Sequence, residues 1–243
     1  MLIDTHCHID LYKNPEKILD ECEMQGISVI SMTNLPSHFE QGFSFFQKTS
    51  KCRIALGLHP LYAQNHKSEF NLFLKNIDKT SYIGEVGLDF SSEGINTKSI
   101  QIESFEMILK IVTNKKKILS IHSRKAEKEI LEMLKKYRIR NAIFHWYSGP
   151  VKLIDSIIES GYFFSINPKM IKSNSGVDII SKIPLDRLLT ESDGPFIQIN
   201  QKPINPWDVK EVLTYISATR QLSYLDVERQ IKNNFFNLIG KLK

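Results

Sequence analysis

Eight short apolar runs, rich in β-branched residues and separated by segments of helical periodicity, constrain the fold of this chain more than any other feature. The opening stretch, Leu2-Ile3-Asp4-Thr5-His6-Cys7-His8-Ile9-Asp10, reads as a buried strand. It is followed by Ile27–Met32, Ile54–Leu58, Tyr82–Val86, Ile118–Ile121, Asn141–Phe144, Tyr162–Ile166 and Arg187–Thr190. Between the first two runs, Asn14-Pro15-Glu16 supplies a helix N-cap, a first-turn proline and an acidic first turn; Ile18, Leu19 and Cys22 follow at helical spacing until Gly26. Later stripes are Phe39/Phe43/Phe46, Phe70/Phe73/Leu74/Ile77, Ile100/Phe105/Ile108/Val112, Ile130/Leu131/Leu134 and Val151/Ile154/Ile157/Ile158. The tail from Trp207 holds two or three helices, with Val209, Val212, Leu213 and Ile216 as one face.

Short, nearly continuous apolar strands alternating with helices are the pattern of a parallel sheet covered on both faces. Eight such units within 243 residues favour an α/β, single-domain (β/α)₈ barrel over a doubly wound sheet. No linker or low-complexity segment interrupts the series, so residues 1–243 are read as one domain. The stretch Lys172–Gly176 and the segment Ile197–Pro206 read as surface loops.

Composition excludes several classes. Cys7, Cys22 and Cys52 are an odd set without Cys-x-x-Cys spacing, which speaks against a disulfide framework or a thiolate metal site. No apolar run approaches the ~18 residues of a membrane span, and a strand beginning at Leu2 leaves no room for a leader. The expectation is a reduced, cytoplasmic protein that does not enter a membrane. A net charge of +5 is compatible with a phosphate-bearing partner and equally with a lysine-rich solvated surface.

Polar residues collect at the strand ends. On a strand His6 and His8 face the same way and Cys7 the other, so two imidazoles are offered to one side. His59 follows the third run, Glu85 lies in the fourth, His122 ends the fifth, His145 ends the sixth and Asp193 follows the eighth. A barrel brings all these ends to one rim. Four histidines and two carboxylates, His6, His8, His122, His145, Glu85 and Asp193, make up what two divalent cations need once water fills the remaining positions. Such a pair activates water and stabilises charge on attacking and leaving oxygens. Glu85 is suited to bridge both ions, and Asp193 to ligate one and accept the proton of the nucleophilic water.

The motifs Asp4-Thr5-His6-Cys7-His8, Gly57-Leu58-His59-Pro60, Gly84-Glu85-Val86-Gly87-Leu88-Asp89, His122-Ser123-Arg124, His145-Trp146-Tyr147-Ser148-Gly149 and Thr190-Glu191-Ser192-Asp193-Gly194-Pro195 stand in this order over most of the chain. Together they resemble the TatD family of metal-dependent deoxyribonucleases. The resemblance implies a TIM-type barrel that hydrolyses DNA, commonly as a 3′→5′ exonuclease preferring single strands, with two divalent ions: Mg²⁺ foremost, Mn²⁺ or Zn²⁺ as alternatives. It implies that His6, His8, Glu85 and Asp193 hold one metal, and Glu85, His122 and His145 the other. Arg124 suits a phosphate contact or a surface ion pair with Glu127 or Glu129. His59 lies in a family motif without being a family ligand, and a substrate contact or a supporting role is open to it.

The chain departs from the family pattern in three places. Phe90-Ser91-Ser92-Glu93-Gly94 replaces a tyrosine-rich, charged loop, and Asn205 in Pro203-Ile204-Asn205-Pro206 stands where the family often has a glutamate. Trp146-Tyr147 replaces Cys-Phe, and Trp146 can either stack a base or pack under the neighbouring loop. These changes fit a specialised member, such as the TatD-like component of the Qat anti-phage system, with protein partners in a multi-gene assembly. Two other functions fit the architecture: a two-metal hydrolase of a small amide, ester or lactone, and a weakened barrel that only binds DNA or protein. Enzymes of the first kind often bridge their metals through a modified lysine, where this chain has Glu85. His38 and His66 read as surface histidines, Lys115–Lys117 as a solvated turn on the far face, and Asp4 as support for its strand.

Overall fold

The computed structural model describes residues 1–242. Strand β1 (Ile3–Cys7) pairs with β2 (Ser28–Ser31), and β2 with β3 (Cys52–Ile54), all parallel. The run then breaks at Ala55 and resumes as β4 (Leu56–Leu58), which leads the parallel series β5 (Tyr82–Gly87), β6 (Ile118–His122), β7 (Ala142–His145), β8 (Phe163–Ile166) and β9 (Leu188–Thr190). Across the break, Ala55 N–H donates to the Ser31 carbonyl at 2.8 Å, and Glu85 N–H to the Thr33 carbonyl at 3.2 Å. At the other edge Thr5 Oγ1 donates to the Thr190 carbonyl at 3.0 Å, Thr190 Oγ1 to the Ile3 carbonyl, and Asp193 N–H to the His6 carbonyl at 2.9 Å. The cylinder therefore closes as the expected eight staves, the third in two pieces.

Around it lie α1 (Pro15–Gln25), α2 (Pro36–Phe46), α3 (His66–Asn76), α4 (Lys98–Val112), α5 (Glu127–Lys136), α6 (Ile154–Glu159), α7 (Asn174–Lys182), α8 (Lys210–Arg220) and α9 (Tyr224–Gly240). Helix α1 starts as its sequence dictates: the Asn14 side chain accepts from Lys17 N–H, Pro15 opens the first turn, and Gly26 closes the helix in the left-handed region at φ 67°. Helix α7 corrects the reading of Lys172–Gly176 as a loop. Ser173 Oγ accepts from Gly176 N–H at 3.1 Å, so the polar run is a capped first turn, and only Ile179 and Ile180 anchor the helix inside. Two core residues are too few for periodicity to reveal a nine-residue helix. The segment Ile197–Pro206, read as a surface loop, is closed by a short antiparallel pair, β10 (Gln198–Ile199) and β11 (Lys202–Pro203). No described helix is long and apolar enough to cross a membrane.

Side-chain alternation sorts the barrel into layers. Ile118, Ile143, Phe163 and Leu189 form an apolar floor inside the cylinder, closed from below by Phe235 and Leu238 of α9. Their neighbours Leu119, Phe144, Phe164 and Leu188 pack outward against the helices. Two residues further along the same inner faces stand Ser120, His145, Ser165 and Glu191, and one step higher His122. The floor holds the polar layer above it in place. Asn234 of α9 fastens the closing helix to the barrel by donating to the Leu185 and Leu188 carbonyls, each at 2.8 Å.

Candidate metal centre

Glu85 sits at the middle of the upper layer, buried, with its two carboxylate oxygens facing different donors. Oε2 lies 3.4 Å from His6 Nε2 and 3.3 Å from His8 Nε2. Oε1 lies 2.6 Å from His122 Nδ1, 3.4 Å from His145 Nε2 and 3.3 Å from His59 Nε2. Asp193 closes the first group, with Oδ1 at 3.7 Å from His6 Nε2 and 3.9 Å from His8 Nε2. All six residues anticipated as ligands thus meet at one point, although they span 188 positions of sequence (His6 to Asp193, counted inclusively). His59 joins them: Leu61 N–H donates to its Nδ1 at 3.1 Å, which leaves the ring proton on Nε2, aimed at Glu85.

Three of the rings, His6, His122 and His145, are aimed by a partner behind them, as metal-binding imidazoles generally are, whereas His8 Nδ1 has no hydrogen-bond partner among the described residues. Ser120 Oγ lies 2.8 Å from His6 Nδ1, Asp89 Oδ2 2.7 Å from His122 Nε2, and Glu191 Oε2 3.1 Å from His145 Nδ1. Glu191, fully buried, also accepts from Asn167 Nδ2 at 2.9 Å, from Trp146 N–H at 3.1 Å and from the Ser165 hydroxyl. Asp4 plays the supporting part expected of it, accepting from Ser192 N–H at 2.9 Å and from His6 N–H at 3.1 Å. Cys7 turns outward, 3.4 Å from the Gly194 carbonyl. Glu191 and Asp89 were not singled out from the sequence, because a carboxylate's service to a distant imidazole has no local pattern.

The backbone is shaped to this end. Gly87 adopts φ 142° so that β5 can pass against His122, whose carbonyl a Cβ would approach to 2.0 Å. Trp146 and Asp193 occupy the left-handed region at φ 38° and 51°, a costly conformation for such residues. Hydrogen bonds from their own N–H groups, to Glu191 and to His6, hold them there.

Burial favours neutral forms at this site, and the neighbouring charges redistribute the protons. Burial pushes the Glu85 carboxyl up, but the His59, His145 and His122 imidazoles more than offset it and hold it well below the usual carboxylate range. Burial also drives Asp193 up, to about 7, against His145 and His8. His6 is driven well below the usual imidazole value, first by burial and then by His145. Burial would lower His145 as well, yet Glu191 and Glu85 raise it well above the ordinary range. The donor set fits divalent cations. Three overlapping triads, His6/His8/Asp193, His6/Glu85/His145 and His59/Glu85/His122, each bring their ligand atoms within 4.8 Å of one another. Two of these nitrogens, His6 Nε2 and His8 Nε2, face each other at 3.2 Å. A cation between such lone pairs satisfies both.

Above the cluster opens a cavity of about 600 Å³, lined by Arg124, Trp146, Lys169, Tyr62, Phe196 and Glu93 among others. Arg124 reaches this rim, and its ion-pair partner is Glu93, with Nη1 to Oε1 at 3.1 Å, rather than Glu127 or Glu129. Trp146 lines the cavity half-buried, with Lys169 Nζ 5.5 Å from its ring centre. Phe196, unremarked in the sequence, is 56% exposed and stands edge-on to His8, ring centres 4.9 Å apart. Asn205 does not line this cavity; it caps the turn at Pro206–Val209 in a reciprocal pair with Asp208. His66 corrects its reading as a surface residue. It is buried, with Ser104 Oγ at 2.6 Å and the His59 carbonyl at 3.0 Å, partners separated from it by sequence but adjacent once α3 and α4 pack. Lys117, within the expected solvated turn, is tied to the Ile77 and Thr80 carbonyls at 2.7 and 2.6 Å.

Comparison with known proteins agrees with this geometry. The human deoxyribonuclease TATDN3 is 23% identical over the whole of this chain and 96% of its own length. A metal-dependent hydrolase of Buchnera aphidicola subsp. Acyrthosiphon pisum is 29% identical, over 98% of this chain and 99% of its own. Among solved structures, YjjV, a TatD homologue from Escherichia coli, superposes with a TM-score of 0.88 at 22% identity, covering 98% of this chain and 97% of that one. A TatD family hydrolase from Entamoeba histolytica gives 0.84 at 18% identity, with 98% and 97% covered. The model of the TatD related DNase family matches residues 3–240, and this chain belongs to that family of metal-dependent hydrolases.

Proposed function

We propose that the chain hydrolyses phosphodiester bonds of DNA, removing nucleotides from the 3′ end of single strands, with two divalent ions at the Glu85 cluster. The observation that carries this reading is the division of Glu85, one oxygen toward His6 and His8 and the other toward His122 and His145. His6, His8, Asp193 and Glu85 Oε2 would hold one ion; His122, His145 and Glu85 Oε1 the other. Bound there, the ions supply Lewis acidity, lowering the pKa of water and neutralising charge on the phosphate oxygens. An imidazole-rich donor set favours Zn²⁺ over the Mg²⁺ expected from the resemblance, while the two carboxylates keep Mg²⁺ and Mn²⁺ as candidates.

The protein's own groups do the rest. Asp193, at the cavity floor, takes the proton from the attacking water. Arg124 offers its planar fork to a phosphate once it leaves Glu93, and Lys169, 5.5 Å from the Trp146 ring centre, adds positive charge to the same cavity. Trp146 and Phe196 present aromatic faces on which the bases of a single strand can stack. The name of the human relative supports DNA as substrate. The small-amide alternative loses support because a glutamate, Glu85, occupies the bridging position.

The test is a digest of 3′- or 5′-labelled single-stranded DNA with Mg²⁺, Mn²⁺ or Zn²⁺ and with chelator. Stepwise shortening from the 3′ end, abolished by chelator and by Asp193→Asn, is expected. A protein that binds metal yet cuts no DNA with any ion refutes the proposal.

A further inference from the structure

We propose that Asp10 is the positioning residue for His8: its carboxylate receives the Nδ1 proton of that ring and so aims Nε2 at an ion, while His38 braces Asp10 from its other side. The inference rests on the reading of His8 as an ion ligand. A neutral imidazole that binds an ion through one nitrogen carries its proton on the other, and that proton needs an acceptor. His8 turns Nε2 to the cluster, 3.3 Å from Glu85 Oε2, which leaves the proton to Nδ1. Behind His6, His122 and His145 stand Ser120, Asp89 and Glu191. Behind His8, a fully buried ring, no hydrogen bond closes among the described residues.

The same neighbourhood holds two more sealed polar atoms without a partner among the described residues, Asp10 Oδ1 and His38 Nδ1. Adjacent parallel strands bring them there. The ends of β1 and β2 are joined by Met32 N–H to the Cys7 carbonyl at 2.7 Å and by Ile9 N–H to Ser31 Oγ at 3.0 Å. After β1 the chain makes one tight turn, Ile9–Leu11, with Leu11 N–H on the His8 carbonyl at 3.0 Å, which keeps Asp10 close to His8. After β2 the chain enters α2 at Pro36, and His38 lies in its first turn. Asp10 and His38 border one cavity. The charges agree with this placement. Burial pushes the Asp10 carboxyl up, and the His8 and His38 rings, in that order, oppose it. Burial lowers His8, and Asp10 joins Glu85 and Asp193 in raising it.

Buried polar atoms without partners are rare, and these three complement one another. A carboxylate oxygen only accepts, whereas Nδ1 of either ring can donate. Asp10 Oδ1 can therefore take the His8 proton on one side and the His38 proton on the other, directly or across one buried water, which typically makes about three such bonds. A negative charge behind a ligating ring fixes its tautomer and raises its basicity toward the ion. Asp10 would do at the end of β1 what Glu191 does at the end of β7.

The test compares the wild-type chain with Asp10→Asn, which keeps the shape and loses the charge, and with Asp10→Ala. Glu16→Gln, an exposed position on the wall of the cavity that Asp10 borders, controls for the loss of one negative charge. Zn²⁺ affinity by isothermal titration should fall roughly 10- to 100-fold in both Asp10 variants and stay unchanged in Glu16→Gln. In long-range ¹H–¹⁵N spectra of the Zn²⁺-loaded chain, the His8 Nδ1–H proton should stand downfield in the wild type and move upfield in the Asp10 variants. Loosened packing alone does not produce that pair of changes. Unchanged affinity with an unmoved His8 resonance, even beside a lowered Tm, overturns the proposal and makes Asp10 a brace of the turn after β1. A wild-type chain that takes up no ion refutes the metal-centre reading and this role with it, whereas uptake indifferent to Asp10 strikes the role alone. Neither readout involves cleavage, so a wild type that binds Zn²⁺ but cuts no DNA leaves the assignment standing.

Discussion

Glu191 Oε2 lies 3.1 Å from His145 Nδ1, and that pairing turns Nε2 of the same ring to 3.4 Å from Glu85. The buried carboxylate fixes which nitrogen carries the proton and which faces the cluster. It does so while also receiving Ser165, Asn167 and the Trp146 backbone, so that the end of β7 and the end of β9 are locked together.

Replacing Glu191 by glutamine brings a second amide NH₂ group against Asn167 and removes the charge that supports His145. Metal affinity or turnover should fall roughly 10- to 100-fold, the usual scale for partners behind a metal ligand. Metal content by elemental analysis, measured beside the melting temperature, checks this. A loss confined to stability, with metal content and turnover per folded molecule unchanged, would show that Glu191 only braces the barrel.

A buried cluster of four imidazoles and two carboxylates should be stabilised by the ions it is proposed to hold. At free metal one hundred to one thousand times Kd, binding adds about 3–4 kcal/mol. For a chain of this size each kcal/mol moves Tm by about 2–4 °C, so chelation should lower Tm by roughly 6–16 °C and metal should restore it. Differential scanning calorimetry with chelator, then with Mn²⁺ or Zn²⁺ in excess, reads this directly. An unchanged Tm would mean that no ion is held there.

Much of this centre was legible in the sequence, and the reasons are physical. His6, His8, Glu85, His122, His145 and Asp193 stand at strand ends, and in a barrel the strand ends are one place; topology alone converts linear order into proximity. The partners behind them were not legible. Asp89 and Glu191 lie in the same motifs, but nothing local says that one faces His122 and the other His145. The burial of His66 against Ser104 has the same cause, since it depends on how two helices pack. Helix α7 hid because its capped polar turn resembles a loop, and the break at Ala55 because Ile54, Ala55 and Leu56 are all apolar and buried. Phe196 stands in the sequence as an isolated aromatic, a residue whose meaning comes only from His8 beside it.

Arg124 and Glu93 are paired at 3.1 Å on the cavity rim, both exposed, so the pair itself is worth about 0–1 kcal/mol. Glu93 nonetheless competes with a phosphate for the same guanidinium. Glu93→Gln should tighten single-stranded DNA binding by up to roughly five-fold, and Arg124→Ala should weaken it. The gain from Glu93→Gln should vanish in the Arg124→Ala background, a coupling that a double-mutant cycle isolates. An equal gain in both backgrounds would assign the effect of Glu93 to general charge rather than to release of Arg124.

Trp146 separates base stacking from simple packing. Its backbone is fixed by Glu191, its ring lines the cavity, and Lys169 lies 5.5 Å from the ring centre. A base stacked on an indole contributes about 1–3 kcal/mol, so Trp146→Ala should weaken single-strand binding by roughly 5- to 150-fold. His145, the adjacent proposed ligand, is paired with Glu191 at 3.1 Å, so metal content should stay the same. Filter binding of a short single strand, done with catalysis blocked by Asp193→Asn, measures the loss. Unchanged affinity together with a lowered Tm would make the indole a packing residue beneath the neighbouring loop, and would leave Phe196 and Tyr62 as the aromatic faces over the metals.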